Sequence, residues 1–510
     1  MGSIVAGTLL LTATGLFSQV VGFLYRIALS RLIGAETMGL YQLVMPVYSV
    51  LLSLTAVGLT VAVSTLSARH YALGDTGAVR LTLRRALGCF FLVAVPLGVL
   101  VVLLSDPISV YLIGDARTRL GIVLLVPCVL LTGVENLHKH CFYGIGRVRP
   151  PAASETVEQL VRAGAVLALL VLLLPQNEER TVGIIVAGMV VCEVCSAATL
   201  TFLFRRLWRR EPPGPPQTRV TRRELFSIAL PVGATSLLGT LLGSANAVLI
   251  PARLVAGGMD ASGAMAQFGV VSGMTLPLLA LPTGFIGALC LVMVPDLARR
   301  TARGNRQAAA GFLDRVVSAT SLLMAPAMAL LAVVGPTVGR ALFQNNQVGE
   351  FILPLAVGTL LGCYQSVLGG ALNGLGLQGR GARNAILSDA AQLICTWALV
   401  PQWGLEGFVF GFVLSAVVGA GLNLISVLRA AGLQPKVFPW FVRPLLSAVF
   451  MGLWCRLFFR VLLGAGCPEG WACVLTALLG LVLYAAALLA QGLSVTDVLP
   501  SRRKQEAARG

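Results

Sequence analysis

The sequence predicts an all-α, polytopic membrane protein: about fourteen transmembrane helices, arranged as two parallel six-helix lobes with two further helices at the C-terminal end. Three observations predict it. Of the 510 residues, 57% are hydrophobic and 12% are charged, about half the charged fraction of a soluble domain. The apolar residues gather into runs long enough to cross a bilayer. The second half of the chain also repeats the first at a constant offset.

The runs read as helices over 4–33, 38–67, 79–104, 118–143, 152–174, 181–204, 225–253, 266–295, 312–334, 351–375, 384–400, 406–428, 440–463 and 470–491. Basic residues fill alternate loops. One side takes the block Arg205, Arg206, Arg209, Arg210, Arg219, Arg222 and Arg223 and the tail Arg502, Arg503 and Lys504. The other takes only Arg31, Arg117, Arg119, Arg180, Arg253 and Arg340. Excess Arg and Lys mark the cytoplasmic side, so both termini are expected there. The net charge of +17 is then a topology signal, and it argues against nucleic acid as a partner.

A shift of 230 residues lays Ala68-Arg69 on Ala298-Arg299, Arg85 on Arg315, Pro96 on Pro326 and Glu135 on Gln365. It also lays Gly144-x-Gly146 on Gly374-x-Gly376, after which Gln159-Leu160 answers Gln392-Leu393 with three residues inserted. A repeat of six helices preserves orientation, so the halves are parallel and related by a pseudo-two-fold axis along the membrane normal. The expected division is a first lobe over 1–204, a basic, Pro-rich cytoplasmic linker over 205–224 and a second lobe over 225–428. Residues 429–510 carry the two additional helices and a basic tail. Two such lobes make a transporter architecture, with substrate bound between them near mid-membrane.

Small and polar residues recur at steps of three and four in the first two spans: Thr12, Gly15, Gln19, Gly22, Arg26 and Ser30, then Gln42, Pro46, Ser49 and Ser53. Such a face belongs against protein or a watery cavity, because lipid offers its polar groups no partner. Arg26 lies about 12 Å inside its span at 1.5 Å per residue. A charge there marks a site by default; the competing reading is that its long side chain snorkels outward, as that of Arg31 is expected to. The seventh helix, counterpart of the first in the repeat, offers Asn246 and Arg253 towards the outer side. The candidate substrate-binding residues are therefore Arg26, Gln19, Arg31, Gln42, Asn246 and Arg253. Guanidinium and amide groups suit an anion such as phosphate or pyrophosphate. Of the in-span acids Glu135, Glu193 and Asp389, Glu135 is a candidate for ion or proton coupling, or else a plain ion-pair partner of Lys139.

No enzyme, cofactor or metal is expected. There is no GxxxxGK and no HExxH, so transport would draw on gradients or membrane potential. His138 and His140 flank Lys139 at what reads as a solvated helix end rather than a metal site. The eleven cysteines scatter singly through the spans, as reduced, packed thiols do.

Gly22-Phe23-Leu24-Tyr25-Arg26, followed by Ser30-Arg31-Leu32-Ile33-Gly34-Ala35-Glu36 and Gly39-Leu40-Tyr41-Gln42, resembles the start of stage V sporulation protein B-like membrane proteins. Phe142-Tyr143-Gly144-Ile145-Gly146-Arg147, Glu158-Gln159-Leu160 and Leu281-Pro282-Thr283-Gly284 are similar to the same family. These proteins belong to the polysaccharide-export and lipid-flippase branch of the multidrug/oligosaccharidyl-lipid/polysaccharide exporter superfamily. The resemblance implies a two-lobe flippase of the bacterial cytoplasmic membrane that moves lipid-linked, pyrophosphate-bearing oligosaccharides or cell-wall precursors by alternating access. It implies membrane lipids as surroundings, cell-wall synthesis enzymes as partners, a role in sporulation, and a monomer. A cation-coupled multidrug exporter and a lipid II flippase proper are the alternatives. The chain departs from the lipid II flippases where they carry an arginine near the start of the first-helix motif, here Gln19. It departs again shortly before Leu281-Pro282, where Pro277 and Ala280 replace an arginine and a glutamate.

Overall fold

The computed structural model describes residues 2–173, 175–210, 214–218, 220–303, 306–432 and 434–492. Among them there is no strand, and twelve helices are long and apolar enough to cross a membrane. One of the twelve is a run of 63 residues, Leu10–Ala72. At 1.5 Å per residue it would measure about 95 Å, some three times a bilayer core. Gly34 breaks it, with φ 75 and ψ 178 inside α1 (Gly2–Leu52). That left-handed φ is open to glycine and strained for other residues. The two spans expected at 4–33 and 38–67 thus meet at this break, and the second continues through a π-turn at Ser53–Val57 into α2 (Gly58–Ala72).

The chain divides into two compact units: residues up to Gly273 with Gln392–Phe408, and Met274–Ala391 with the described residues from Val409. The first unit holds α1, α2, α3 (Thr76–Leu103), α4 (Arg119–Gly144), α5 (Arg149–Leu173), α6 (Glu178–Arg210), α7 (Arg222–Ala256) and α8 (Ala261–Phe268). Its core gathers Leu66, Leu83, Phe90, Phe142, Phe204 and Trp208 from α2, α3, α4 and α6. Burial of Leu207 and Trp208 carries α6 as a helix to Arg210. A second cluster packs Tyr25 and Leu29 of α1 on Val166, Leu170 and Ile185 of α5 and α6. The Gly34 break is tied down by Arg117, which pairs with Glu36 at 2.7 Å and Asp115 at 2.8 Å. Beside it α1 and α8 touch backbone to backbone: a Cβ on Gly39 would lie 2.2 Å from the Met265 carbonyl, and one on Gly269 2.0 Å from that of Ala35. Along α3, Leu92, Val99 and Leu103 are exposed, as suits a lipid-facing surface.

The second unit holds α9 (Leu276–Ala280), α10 (Gly284–Ala302), α11 (Arg306–Phe343), α12 (Ile352–Gly374), the first half of α13 (Gln378–Trp403), most of α14 (Leu405–Ala431), α15 (Arg443–Gly464) and α16 (Glu469–Ala490). The single span expected at 266–295 is broken into α8, α9 and α10, with a turn at Leu281–Thr283. Pro282 cannot donate a backbone hydrogen bond and crowds the preceding turn. Helix α13, over the span expected at 384–400, is too polar to stand among the twelve. Helices α15 and α16 pack on α11 through Phe459, Ala472 and Val334. Asp314 on α11 accepts from Lys436 Nζ at 2.8 Å and from Trp440 Nε1.

Candidate functional site

Five ionisable side chains meet inside the first unit, where α4, α5 and α6 pack together. Arg162 on α5 donates to Glu158 Oε1 at 2.6 Å and to Glu193 Oε1 of α6 at 3.0 Å. Lys139 on α4 reaches Glu135 Oε1 at 3.0 Å and Glu158 Oε2 at 3.7 Å. Both Glu135 and Glu193 are 1% exposed. Helical spacing builds the cluster: Glu135 and Lys139 are i,i+4 partners, as are Glu158 and Arg162, so each acid stands beside a base on one face. Ser154 and Ser196 share a hydrogen bond of 3.0 Å between α5 and α6, and the Cys192 thiol donates to the Glu158 carbonyl.

Three carboxylates face two cations. Burying that surplus is expensive unless a proton or a cation neutralises it. Glu193 Oε2 is buried with no hydrogen-bond partner among the described residues. Ligand atoms of Glu158, Cys192 and Glu193 lie within 4.8 Å of one another, but Arg162 already bridges the two carboxylates. A divalent metal would have to displace it, so the donor set fits an ion-pair network better than a metal centre.

The candidates from the sequence fall in different places. Glu135 is in the cluster, paired with Lys139. Arg26 is half-buried on α1 and makes no ion pair or hydrogen bond among the described residues; it and Arg162 lie within electrostatic range of Tyr41. Gln19 and Gln42 are half-buried on α1, and Arg31 is exposed. Asn246 and Arg253 face α13 instead: Asn246 Oδ1 accepts from Thr396 Oγ1 at 2.7 Å. Arg253 Nε donates to the Trp397 carbonyl at 3.0 Å, and its guanidinium sits 5.1 Å over the Trp397 ring. His138 is no solvated helix end. It is 4% exposed, donates from Nδ1 to the Val134 carbonyl at 2.8 Å and stands edge-on to Phe204, because its side of α4 faces α6.

Arg162 and Glu158 are the residues that sequence reading passed over. The signal was available: an acid and a base four apart within a span-length helix, matching Glu135 and Lys139 on its neighbour. A second pattern also emerges from the structure. Residues 230 further on, in the second unit, form an uncharged network in which the Ser154–Ser196 hydrogen bond recurs as Asn384–Ser426, while glycine and glutamine, Gly369 and Gln392, stand at the positions of Lys139 and Arg162. Gln365 stands for Glu135, Asn384 for Ser154, Ser388 for Glu158, Asn423 for Glu193 and Ser426 for Ser196. Asn384 Nδ2 donates to Ser426 Oγ at 3.1 Å and to Asn423 Oδ1 at 3.0 Å. Gln365 Nε2 donates to Ser388 Oγ at 3.3 Å, and Asn423 Nδ2 to the Gln365 carbonyl at 3.0 Å. These contacts keep the offset of 230 without the three-residue insertion read from Gln159-Leu160.

Span-length apolar helices with outward-facing leucines, enclosing a buried ionic cluster, define a multi-pass membrane protein. The profile described as Polysaccharide biosynthesis protein matches residues 4–299, more than half of the chain, and the chain belongs to that family. It is 24% identical over 440 residues to Stage V sporulation protein B of Bacillus subtilis (strain 168), covering 85% of this chain and 84% of that one. It is 20% identical over 456 residues to the Lipid II flippase MurJ of the same organism, covering 84% of each. Among solved structures, the lipid II flippase MurJ in an inward closed conformation superposes with a TM-score of 0.69 at 12% identity, covering 94% of this chain and 98% of that one. An inward-facing multidrug resistance MATE family transporter of the MOP superfamily gives 0.63 at 15%, covering 81% and 96%. The fold is therefore that of the MurJ flippase and the MATE transporters.

Proposed function

We propose that the protein is a flippase for a lipid-linked, pyrophosphate-bearing oligosaccharide or cell-wall precursor of the bacterial cytoplasmic membrane. It works by alternating access between two six-helix lobes, in a fourteen-span chain whose termini are both cytoplasmic. The observation that carries this reading is Arg26. It is half-buried within a span and has no anionic partner among the described residues, while the neighbouring Arg162 is held by two carboxylates. An unpaired guanidinium in a membrane span is expensive to keep, and a pyrophosphate is the kind of group that would repay it with forked, charge-assisted hydrogen bonds. The surplus carboxylate of the α4–α6 cluster supports coupling to a proton or a monovalent cation.

A second reading, a cation-coupled exporter of small molecules, rests on Asp389, which is half-buried on α13 and unpaired among the described residues. Flipping of a fluorescent polyprenyl-pyrophosphate sugar in vesicles separates the two. Arg26→Lys should retain part of the activity and Arg26→Ala should lose about one to two decades, the worth of one charge-assisted hydrogen bond. Asp389→Asn should leave flipping intact. Full flipping in Arg26→Leu would remove Arg26 from the site and with it the argument for an anionic cargo, and failure of the parent protein to flip the sugar would favour the exporter.

A further inference from the structure

Between α3, α4 and α6, at the end of the first unit where the linker begins, lies a cavity of about 700 Å³. Its mouth is basic. Arg80 and Arg84 stand one turn apart on α3, and Arg205 and Arg209 one turn apart on α6. All four are exposed, and none makes an ion pair among the described residues. No acidic residue lines the cavity. Deeper in, the same two faces turn apolar, with Leu87 and Phe91 following on α3 and Phe204 opposite on α6. Phe91 is 41% exposed, so the apolar part opens sideways towards lipid. Trp208 also lines the cavity and is 7% exposed, yet its indole N–H has no hydrogen-bond partner among the described residues. A buried, unmet donor is costly unless something accepts from it.

We infer that this groove binds one anionic phospholipid of the linker-side leaflet. Its phosphate lies against the arginines, the Trp208 N–H donates to a phosphate or ester oxygen, and an acyl chain covers Leu87, Phe91 and Phe204. Basic pockets between transmembrane helices suit such headgroups, and indoles favour the membrane interface. A free phosphate would satisfy the arginines and leave the apolar wall bare. The inference is independent of the proposed cargo.

The test uses the full-length protein in detergent, a diazirine-tailed phosphatidylglycerol and its phosphatidylcholine counterpart, with cross-linked peptides mapped by mass spectrometry. Phosphatidylglycerol should label α3 and α6 in preference to phosphatidylcholine, and millimolar inorganic phosphate should not displace it. Arg84→Gln with Arg205→Gln should weaken binding about tenfold or more, since each interfacial arginine contributes of that order. Leu87→Trp, which fills the groove and keeps every charge, should block the label, with helicity and melting checked for each variant. Equal labelling by phosphatidylcholine, undiminished labelling of the double variant, or labels mapping elsewhere would overturn the proposal. Complete displacement by phosphate would show a free-anion site instead, and preferential displacement by a polyprenyl pyrophosphate would make the groove a cargo port.

Discussion

The α4–α6 trio and the helices 230 residues further on solve one packing problem with opposite chemistry. Both units join three helices through polar side chains at matching positions. In the first unit the joints are ionic: Glu135, Glu158 and Glu193 against Lys139 and Arg162. In the second they are amides and hydroxyls: Gln365, Asn384, Ser388, Asn423 and Ser426. Amides suffice to hold such helices together, so packing alone does not call for the carboxylates. Ionised groups add desolvation costs that a neutral network avoids. What they add besides cost is the capacity to change charge state. The difference teaches that the same three-helix joint is built in the first unit with ionisable groups and in the second with neutral ones.

The largest expected effect breaks the ionic joint. Arg162→Leu strips the partner from Glu158 and Glu193 together, and removing one side of a buried ion pair costs about 3–5 kcal/mol. Asn384→Leu in the neutral network leaves amide and hydroxyl groups unmet, worth about 1–3 kcal/mol. Thermal unfolding in one detergent should therefore rank Arg162→Leu well below Asn384→Leu. Equal melting shifts would erase the energetic distinction between the units.

A smaller effect on stability, with a sharper one on function, comes from making the first unit resemble the second. Glu135→Gln together with Glu193→Asn copies the residues at 365 and 423. Arg162 keeps Glu158, so the protein should still insert, with its stability lowered by about 1–3 kcal/mol. Transport by the double variant should no longer respond to an imposed proton or sodium gradient. A gradient response equal to that of the parent would show that the cluster is structural.

How much of this was legible beforehand follows from the physics of each feature. Span-length runs and the gap between the first two spans at Gly34 could be read because hydropathy and glycine act locally along the chain. The pairing of Glu135 with Lys139 could be read as one of two alternatives, since i,i+4 spacing is also local. Arg162 could not be assigned to Glu193 from spacing, because 31 residues and a turn separate them. The charge balance of the interior was hidden for the same reason. The contact that fixes Arg253 was equally out of reach, since Trp397 lies 144 residues further on. The solvated reading of His138 failed because α6 runs beside that end of α4 and brings Phe204 onto the ring.

The smallest expected effect concerns the linker, which is fastened to the unit that carries the ionic cluster. Asp75, between α2 and α3, caps α3 by accepting from Ala78 N at 2.9 Å. It also accepts from Gln217 N at 3.0 Å, from Thr218 N at 2.7 Å and from the Thr218 hydroxyl. Burial alone would raise its carboxyl, but the bonds from Thr218, Ala78 and Gln217 outweigh it and hold the group below the usual carboxylate range. A group depressed in the folded state stabilises it fully above the unfolded pKa, about 3.9, and this contribution fades as pH falls through the lower native value. Asp75→Asn keeps the shape and removes the charge, which should cost about 1 kcal/mol, the usual worth of a helix cap. The parent and Asp75→Asn should thus differ in melting temperature at pH 7 and converge as the pH drops well below 3.9. At pH 8 trypsin should cut the variant faster after Arg219 or Arg222. If the gap in melting temperature were the same at pH 7 and pH 2, the charge of Asp75 would not be what fastens the linker. The attachment would then rest on the close approach of Gly77 to the Gly214 carbonyl, and a side chain at Gly77 would become the variant that frees it.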